Sequence, residues 1–110
     1  MSIQALIGKE ISAVCFVRDY VELHFDGPVL RALCNPVVTI DGQAKTFPEH
    51  GSRDLLCYLI GKQVVAVTVV DDRYIEVVTD HGDLRINFDY STRSEAAHFV
   101  MGIDLPIDVW

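Results

Sequence analysis

The sequence contains no uninterrupted apolar run that approaches the roughly 18 residues needed to span a bilayer. Its N-terminus, MSIQALIGKE, has neither the basic segment nor the long apolar segment of a secretory signal. We therefore expect a soluble, unexported protein that does not associate with membranes.

Cysteine is scarce, and the three present are odd in number and show no C-x-x-C spacing. Cys15, Cys34 and Cys57 each lie among apolar residues, where cysteine behaves as a small hydrophobe. This pattern argues against a disulfide framework and favours a reducing, cytoplasmic location.

Basic residues are also few, with nine lysines and arginines against sixteen acids and a formal net charge of -7. Nucleic-acid binding draws most of its affinity from lysine and arginine contacts to phosphate, so the charge argues against DNA and RNA as partners. A basic protein partner would be attracted.

The sequence contains no H-x-x-x-H or H-E-x-x-H spacing, so that a metal site would have to assemble from residues distant in the sequence. The histidines, none of which evidently shares a strand face with another, are His24, His50, His81 and His98. Glycine-rich phosphate loops and the G-x-S-x-G elbow are also missing. Neighbouring carboxylates such as Asp80 and Asp83 are predicted in turns, where water equalises their pKa values. We expect no catalytic residue, no metal site and no cofactor.

The strongest signal in the chain is a repeat. Residues 6–17, LIGKEISAVCFV, match residues 59–70, LIGKQVVAVTVV, with seven identities in twelve positions. After one inserted residue, residues 20–31 match residues 74–85 with five identities in twelve. We expect one domain over residues 1–110, with repeats at about 2–35 and 52–89 and a C-terminal extension at 94–110.

Each repeat predicts a short helical lead and three strands. The lead of the second copy, residues 52–60, would have Ser52 as N-cap and Gly61 as its end. In the first copy, residues 2–7 would form a shorter turn that Gly8 closes. The first strands, residues 11–17 and 64–70, are almost wholly apolar and predict cover on both faces.

The second and third strands of each copy alternate apolar and polar residues, as half-buried strands do. The turns DGPV and DHGD predict that Phe25 pairs with Leu30 and Thr79 with Leu84. The inward positions are Val21, Leu23, Phe25, Leu30, Ala32, Cys34, Ile75, Val77, Thr79, Leu84, Ile86 and Phe88. The outward pairs Glu22/Arg31 and Glu76/Arg85 would then lie diagonally across their hairpins.

The remaining segments predict minor elements. A hairpin would join residues 37–40 to residues 45–47 through the turn DGQ at 41–43. Residues 94–100, SEAAHFV, predict one or two helical turns capped by Ser94, and the ending IDLPIDVW predicts an extended edge segment.

Each three-stranded meander presents an apolar face that it cannot bury alone. Two copies that face each other bury both faces. We therefore predict a mainly β protein whose duplicated meanders form a pseudo-twofold small barrel or sandwich with short helices.

Surface residues supply the candidate partner-binding site. Tyr20 and Tyr74 occupy matching outward positions beside the turn acids Asp19, Asp71 and Asp72, and aromatic residues beside acids are common in contact surfaces. Trp110 ends the edge segment and either takes part in such a contact or folds back over one end of the barrel as a lid.

The LIGK leads, the D-x-G-x-L hairpins and the terminal segments EAAHFV and VW resemble those of small acidic bacterial proteins of uncharacterised families. Some of these proteins are thought to act as immunity proteins against toxins from neighbouring cells. The resemblance covers most of the chain, its motifs are structural, and it implies bacterial origin and cytoplasmic residence.

The sequence thus favours a non-enzymatic, cytoplasmic protein-binding module of the immunity or inhibitor kind, which binds a basic partner through an acidic surface. One alternative is a β-barrel that binds a small molecule. Another is a structural domain that forms a homodimer through its C-terminal edge strand.

Overall fold

The computed structural model describes residues 3–18, 20–91, 94–101 and 107–110. Its strands form two antiparallel five-stranded sheets that face each other without closing into a barrel. The predicted mainly β, duplicated fold is therefore confirmed, and of the two architectures the sandwich is the one observed.

The first sheet has the strand order β1-β2-β3-β9-β10. Its strands are β1 Ala13–Val17, β2 Tyr20–His24, β3 Val29–Ala32, β9 Ala97–Val100 and β10 Ile107–Val109. The second sheet has the order β5-β4-β8-β7-β6. Its strands are β4 Val37–Ile40, β5 Gln43–Thr46, β6 Val64–Val70, β7 Tyr74–Thr79 and β8 Gly82–Asn87.

Each sheet combines the meander of one copy with the two strands that follow the meander of the other copy. The meander β1-β2-β3 is followed along the chain by β4 and β5, yet β4 pairs with β8 of the second copy. In the same way, β9 and β10 follow the second meander, and β9 pairs with β3 of the first copy. This exchange ties the two halves together through backbone hydrogen bonds as well as through the core.

Two helical leads close the sides of the sandwich. A 3-10 helix at Ile3–Leu6 packs against β6, and α1, Ser52–Tyr58, packs against β1, β4 and β5. Each lead therefore contacts the first strand of the opposite copy. Positive φ angles of 91° at Gly8 and 88° at Gly61 end both leads, a conformation that glycine adopts without strain.

The core lies between the two sheets and under both leads. Eleven of the twelve predicted inward positions belong to this core or pack against it, and the twelfth, Thr79, is also buried, which confirms the alternation argument. Its largest side chains with less than 2% exposure include Phe25, Phe99, Leu6, Leu56, Leu59 and Ile75. Each such side chain stabilises the fold by about 1.5–3 kcal/mol through burial.

The predicted hairpin registers are wrong by one pair of residues. Leu23, not Phe25, pairs with Leu30, and Val77, not Thr79, pairs with Leu84. The strands extend further into their turns than expected, so that Thr79 pairs with Gly82. Because the shift is two residues in total, every side chain stays on its predicted face.

Two helix predictions are also wrong. The N-cap of α1 is Gly51, and the hydroxyl of Ser52 makes no capping hydrogen bond. Residues 97–100 form β9 instead of helical turns, because the segment pairs with β3 and buries Ala97 and Phe99 in the core, while His98 and Val100 are less buried. Ser94 therefore caps no helix.

Cover on both faces is incomplete for the first strands: α1 packs against β1 and the 3-10 helix packs against β6, but part of each strand stays exposed to solvent. Phe16 and Val17 each expose 37% of their surface, and Val65 exposes 51%. In the connecting segment the predicted hairpin is confirmed, but its turn is shorter, since Gln43 already pairs with Ile40.

Candidate functional site

The structure separates the two predicted tyrosines. Tyr20 begins β2 and Tyr74 begins β7, and each side chain points outward because the next residue, Val21 or Ile75, is buried. They therefore lie on opposite outer faces of the sandwich, and a single flat surface does not include both.

The predicted turn acids follow the same separation. Asp71 and Asp72 are exposed in the turn between β6 and β7, next to Tyr74, and Asp72 has a positive φ of 62°. Asp19 lies outside the described residues. The predicted site thus reduces, on the second sheet, to Asp71, Asp72 and Tyr74.

Trp110 lies at the edge of the first sheet and is half-buried. Its side chain packs against the core. Its amide donates a hydrogen bond to the carbonyl oxygen of Ala97 at 2.9 Å, and its carbonyl oxygen accepts one from the amide of Ala96 at 2.5 Å. It combines features of both predicted roles, since it covers part of the core and keeps part of its surface accessible.

An arginine side chain lies over the ring of each of the two predicted tyrosines, Tyr20 and Tyr74. The guanidinium carbon of Arg31 lies 5.6 Å from the ring centroid of Tyr20, and that of Arg85 lies 3.9 Å from that of Tyr74. Both distances are within the range of cation–π attraction, which is stronger for the shorter one. Since Arg31 and Arg85 are equivalent in the repeat, duplication places the same pair on both outer faces.

A glutamate directly opposite each arginine holds it in place. Arg31 Nε donates to Glu22 Oε2 at 2.8 Å, and Arg85 Nη2 donates to Glu76 Oε2 at 3.2 Å. The one-pair shift of the hairpins brings these residues opposite each other instead of diagonally. Burial opposes the ionisation of Glu22, but hydrogen bonds and charge from Arg31 and His24 outweigh it and lower the pKa of Glu22.

The prediction that Asp80 and Asp83 lie in a turn where water equalises their pKa values is wrong for Asp83, which lies in β8 on the outer face of the second sheet. Burial and the negative charge of Glu76 raise the pKa of Asp83, and they outweigh a hydrogen bond from Thr39 and the charge of Arg85. Glu76 and Asp83 therefore share a single arginine.

The first sheet instead extends its polar network through two histidines. His24 Nε2 lies 3.2 Å from Glu22 Oε1. On the other side of Arg31, its Nη1 lies 3.1 Å from His98 Nδ1. His98 Nε2 in turn lies 2.9 Å from Glu95 Oε1. Because a guanidinium only donates, His98 Nδ1 accepts and Nε2–H donates to Glu95. The expectation that no two histidines share a strand face is wrong, since β9 places His98 on the same outer face as His24.

A cluster of three potential metal ligands lies at the end of this network. Cys15, Glu22 and His24 each offer a ligand atom, and these atoms all lie within 4.8 Å of one another. Glu22 and His24 share a face of β2, and Cys15 pairs directly with Glu22 on β1. The E-x-H spacing is visible in the sequence, but the strand pairing that adds Cys15 is not.

A cavity of about 410 Å³ lies beside residues 33–37, where the chain passes from β3 in the first sheet to β4 in the second sheet. Its lining residues are Leu33, Cys34, Asn35, Val37, Thr46, Asn87 and Asp89. Cys34 Sγ lies 3.3 Å from the donating amide of Asp89, which fixes one wall. The cavity is partly open and mostly polar.

Comparison with protein-family models, with curated proteins and with solved structures finds no match to this chain. Among the helices in the described residues, none has the length and apolar character to cross a bilayer.

Proposed function

We propose that this protein is a non-enzymatic binding module that contacts a basic protein partner through the outer face of its second sheet. The carrying observation is that Glu76 and Asp83 share Arg85 as their neutralising charge on this face. Asp71 and Asp72 extend the acidic surface at one end, beside Tyr74.

The surplus carboxylate explains the preference for a cation. Glu76 and Asp83 repel each other, and partial burial adds to the cost of ionising Asp83. A lysine or arginine from a partner would offset both effects at once. The net charge of -7 would in addition speed the encounter and make its rate sensitive to salt.

Tyr74 supplies a preorganised aromatic anchor. Arg85 stacks 3.9 Å from its ring centroid, and Glu76 in turn holds Arg85. Tyrosine and arginine are enriched at the energetic centres of interfaces, and side chains that are already held in place lose little entropy on binding. The immunity or inhibitor role, with a basic toxin as partner in a bacterial cytoplasm, is the specific form of this proposal.

The repeat offers a matched control for the test. Wild type and the variants Tyr74→Ala, Asp83→Asn and Tyr20→Ala are each immobilised and exposed to lysate of the source cells at low and high salt. We expect wild type and Tyr20→Ala to retain the same basic protein at low salt, whereas Tyr74→Ala and Asp83→Asn lose it. Equal retention by all four proteins, or retention of no basic protein, would refute the proposal.

The cavity beside Cys34 favours a second candidate, the binding of a small polar molecule. Its volume of about 410 Å³ lies within the usual range of ligand pockets. The interior between the sheets does not serve this role, because core side chains fill it. Native mass spectrometry of the purified protein should then show an added mass that Asn87→Leu removes, and an unliganded spectrum in both would oppose this candidate.

The third candidate, a homodimer through the C-terminal strand, rests on the position of β10 at the edge of the first sheet. An edge strand leaves backbone groups free to pair with a second copy. Sedimentation of a monomer at high micromolar concentration would exclude it.

A further inference from the structure

We propose that Cys15, Glu22 and His24 form a binding site for a zinc ion on the outer face of the first sheet. The three residues offer one sulfur, one oxygen and one nitrogen ligand within 4.8 Å of one another. This site lies on the opposite side of the sandwich from Tyr74, so that it is independent of the partner surface proposed above.

The pairing of β1 with β2 places the ligands. Cys15 and Glu22 are directly opposite in the register, and His24 is two residues beyond Glu22 on the same face. Three side chains from two paired strands therefore converge without a loop, which limits the conformational entropy lost when an ion binds.

The distances suit a tetrahedral ion. Zinc bonds of about 2.0–2.3 Å place neighbouring ligand atoms roughly 3.2–3.8 Å apart. Glu22 Oε1 and His24 Nε2 already lie 3.2 Å apart. Side-chain rotation of Cys15, whose sulfur lies within 4.8 Å of both, completes the approach.

The chemistry of the ligand set selects the ion. Thiolate and imidazole are poor ligands for calcium and magnesium, which prefer oxygen, whereas zinc accepts sulfur, nitrogen and oxygen together. A thiolate and a carboxylate also balance the two positive charges of the ion.

Arg31 acts as a positioning residue for Glu22. Its Nε donates to Oε2 at 2.8 Å, which leaves Oε1 directed at His24. Metal-bound carboxylates in proteins are commonly held by such a second hydrogen bond. The exposed fractions of the His24 and Glu22 side chains are 33% and 16%, so an ion can enter from solvent and keep a fourth position for water or a donor from another molecule.

Cobalt(II) is the probe for the test, because it replaces zinc and its bond to a thiolate absorbs in the near ultraviolet. We expect reduced wild-type protein to bind one cobalt ion with this absorption and with the visible bands of tetrahedral geometry, and zinc to displace it. Cys15→Ser should lose the ultraviolet band, and Glu22→Gln and His24→Gln should each weaken binding at least tenfold.

The chain offers matched controls. Cys57 is an exposed free thiol on α1, and His81 is an exposed histidine, so Cys57→Ser and His81→Gln should leave both spectra unchanged. If wild type shows no ultraviolet band at millimolar cobalt, or if Cys15→Ser retains it, the site does not exist. If Cys15→Ser fails to fold by circular dichroism, unchanged affinity in His24→Gln and Glu22→Gln overturns the proposal equally.

Discussion

The amide of Gly8 donates a hydrogen bond to the carbonyl oxygen of Val64 at 2.8 Å. At the equivalent positions of the other copy, the amide of Gly61 donates to the carbonyl oxygen of Ile11 at 2.7 Å. An isolated bridge between Glu10 and Gln63, themselves equivalent in the repeat, lies between these bonds. The pseudo-twofold axis therefore passes through a point where the two copies of the LIGK segment pair with each other.

Replacement of either glycine by alanine should destabilise the protein to a similar degree. A Cβ at Gly8 or Gly61 would meet no atom within 4 Å, so the cost comes from the positive φ alone and should be about 1–2 kcal/mol at each site. Urea denaturation measures it. Gly8→Asn and Gly61→Asn are the controls and should cost less, since asparagine tolerates positive φ; unequal costs at the two sites would contradict the symmetry.

Ser52→Ala should leave the protein as stable as wild type or more stable by about 1 kcal/mol, because it removes a buried hydroxyl. Ser52 is 0% exposed, and its Oγ has no hydrogen-bond partner among the described residues. An N-capping serine would instead lose about 1 kcal/mol on this change. Urea titration gives the change in unfolding free energy, whose sign distinguishes the two roles of Ser52. Ser12→Ala is the destabilising control, because it removes the hydroxyl that accepts a hydrogen bond from the amide of Asp26.

Asp83→Asn should stabilise the protein at neutral pH by about 0.5 kcal/mol, a small effect because solvent screens the repulsion from Glu76. The pKa of Asp83 is raised above its ordinary value of 3.8, so the folded state holds this proton to a higher pH than the unfolded chain. The stabilising contribution of the protonated Asp83 carboxyl is thus present below pH 3.8 and is lost as the pH rises through the pKa of Asp83 in the folded state.

The measurement is the difference in unfolding free energy between Asp83→Asn and wild type across pH. This difference should vanish well below pH 3.8 and grow towards neutrality. Asp41→Asn, which removes an exposed acid from the neighbouring β4–β5 turn, controls for the loss of one negative charge. A stabilisation that is constant over pH, or equal in both variants, would contradict the assigned cause.

Trp110→Ala should cost about 2 kcal/mol, less than a fully buried tryptophan, because the side chain is half-buried against the core. The preceding residue, Val109, is 45% exposed at the end of β10 and provides the comparison, since Val109→Ala should change stability little. Thermal unfolding followed by circular dichroism measures both. A neutral Trp110→Ala would mean that the ring does not serve as a lid.

Particular residues show which strands the sequence alone could predict. Leu23, Leu84 and Ile86 alternate with polar neighbours, and period-two alternation indicates strands and their buried face without further information. Residues 97–100 alternate as well, but alanine and a preceding serine also suit a helix, and four residues are too few for propensity to decide. Pairing with β3, which is distant in the sequence, decided in favour of β9.

The candidate sites divide in the same way. The outward direction of Tyr20 and Tyr74 followed from alternation, whereas their separation onto opposite faces followed from the packing of the sheets. The cluster of Cys15, Glu22 and His24 depends on the register between β1 and β2, which the almost wholly apolar sequence of residues 11–17 did not indicate.

The sequence by itself determined the duplication, the strands of both meanders and the faces that their second and third strands bury, because repeated segments and apolar periodicity are local properties of the chain. The tertiary structure decided the exchange of hairpins between the sheets, the opposition of Glu22 with Arg31 and the approach of Cys15 to His24. These depend on backbone pairing between distant segments, whose free energy is set by the whole core and not by any one stretch of residues.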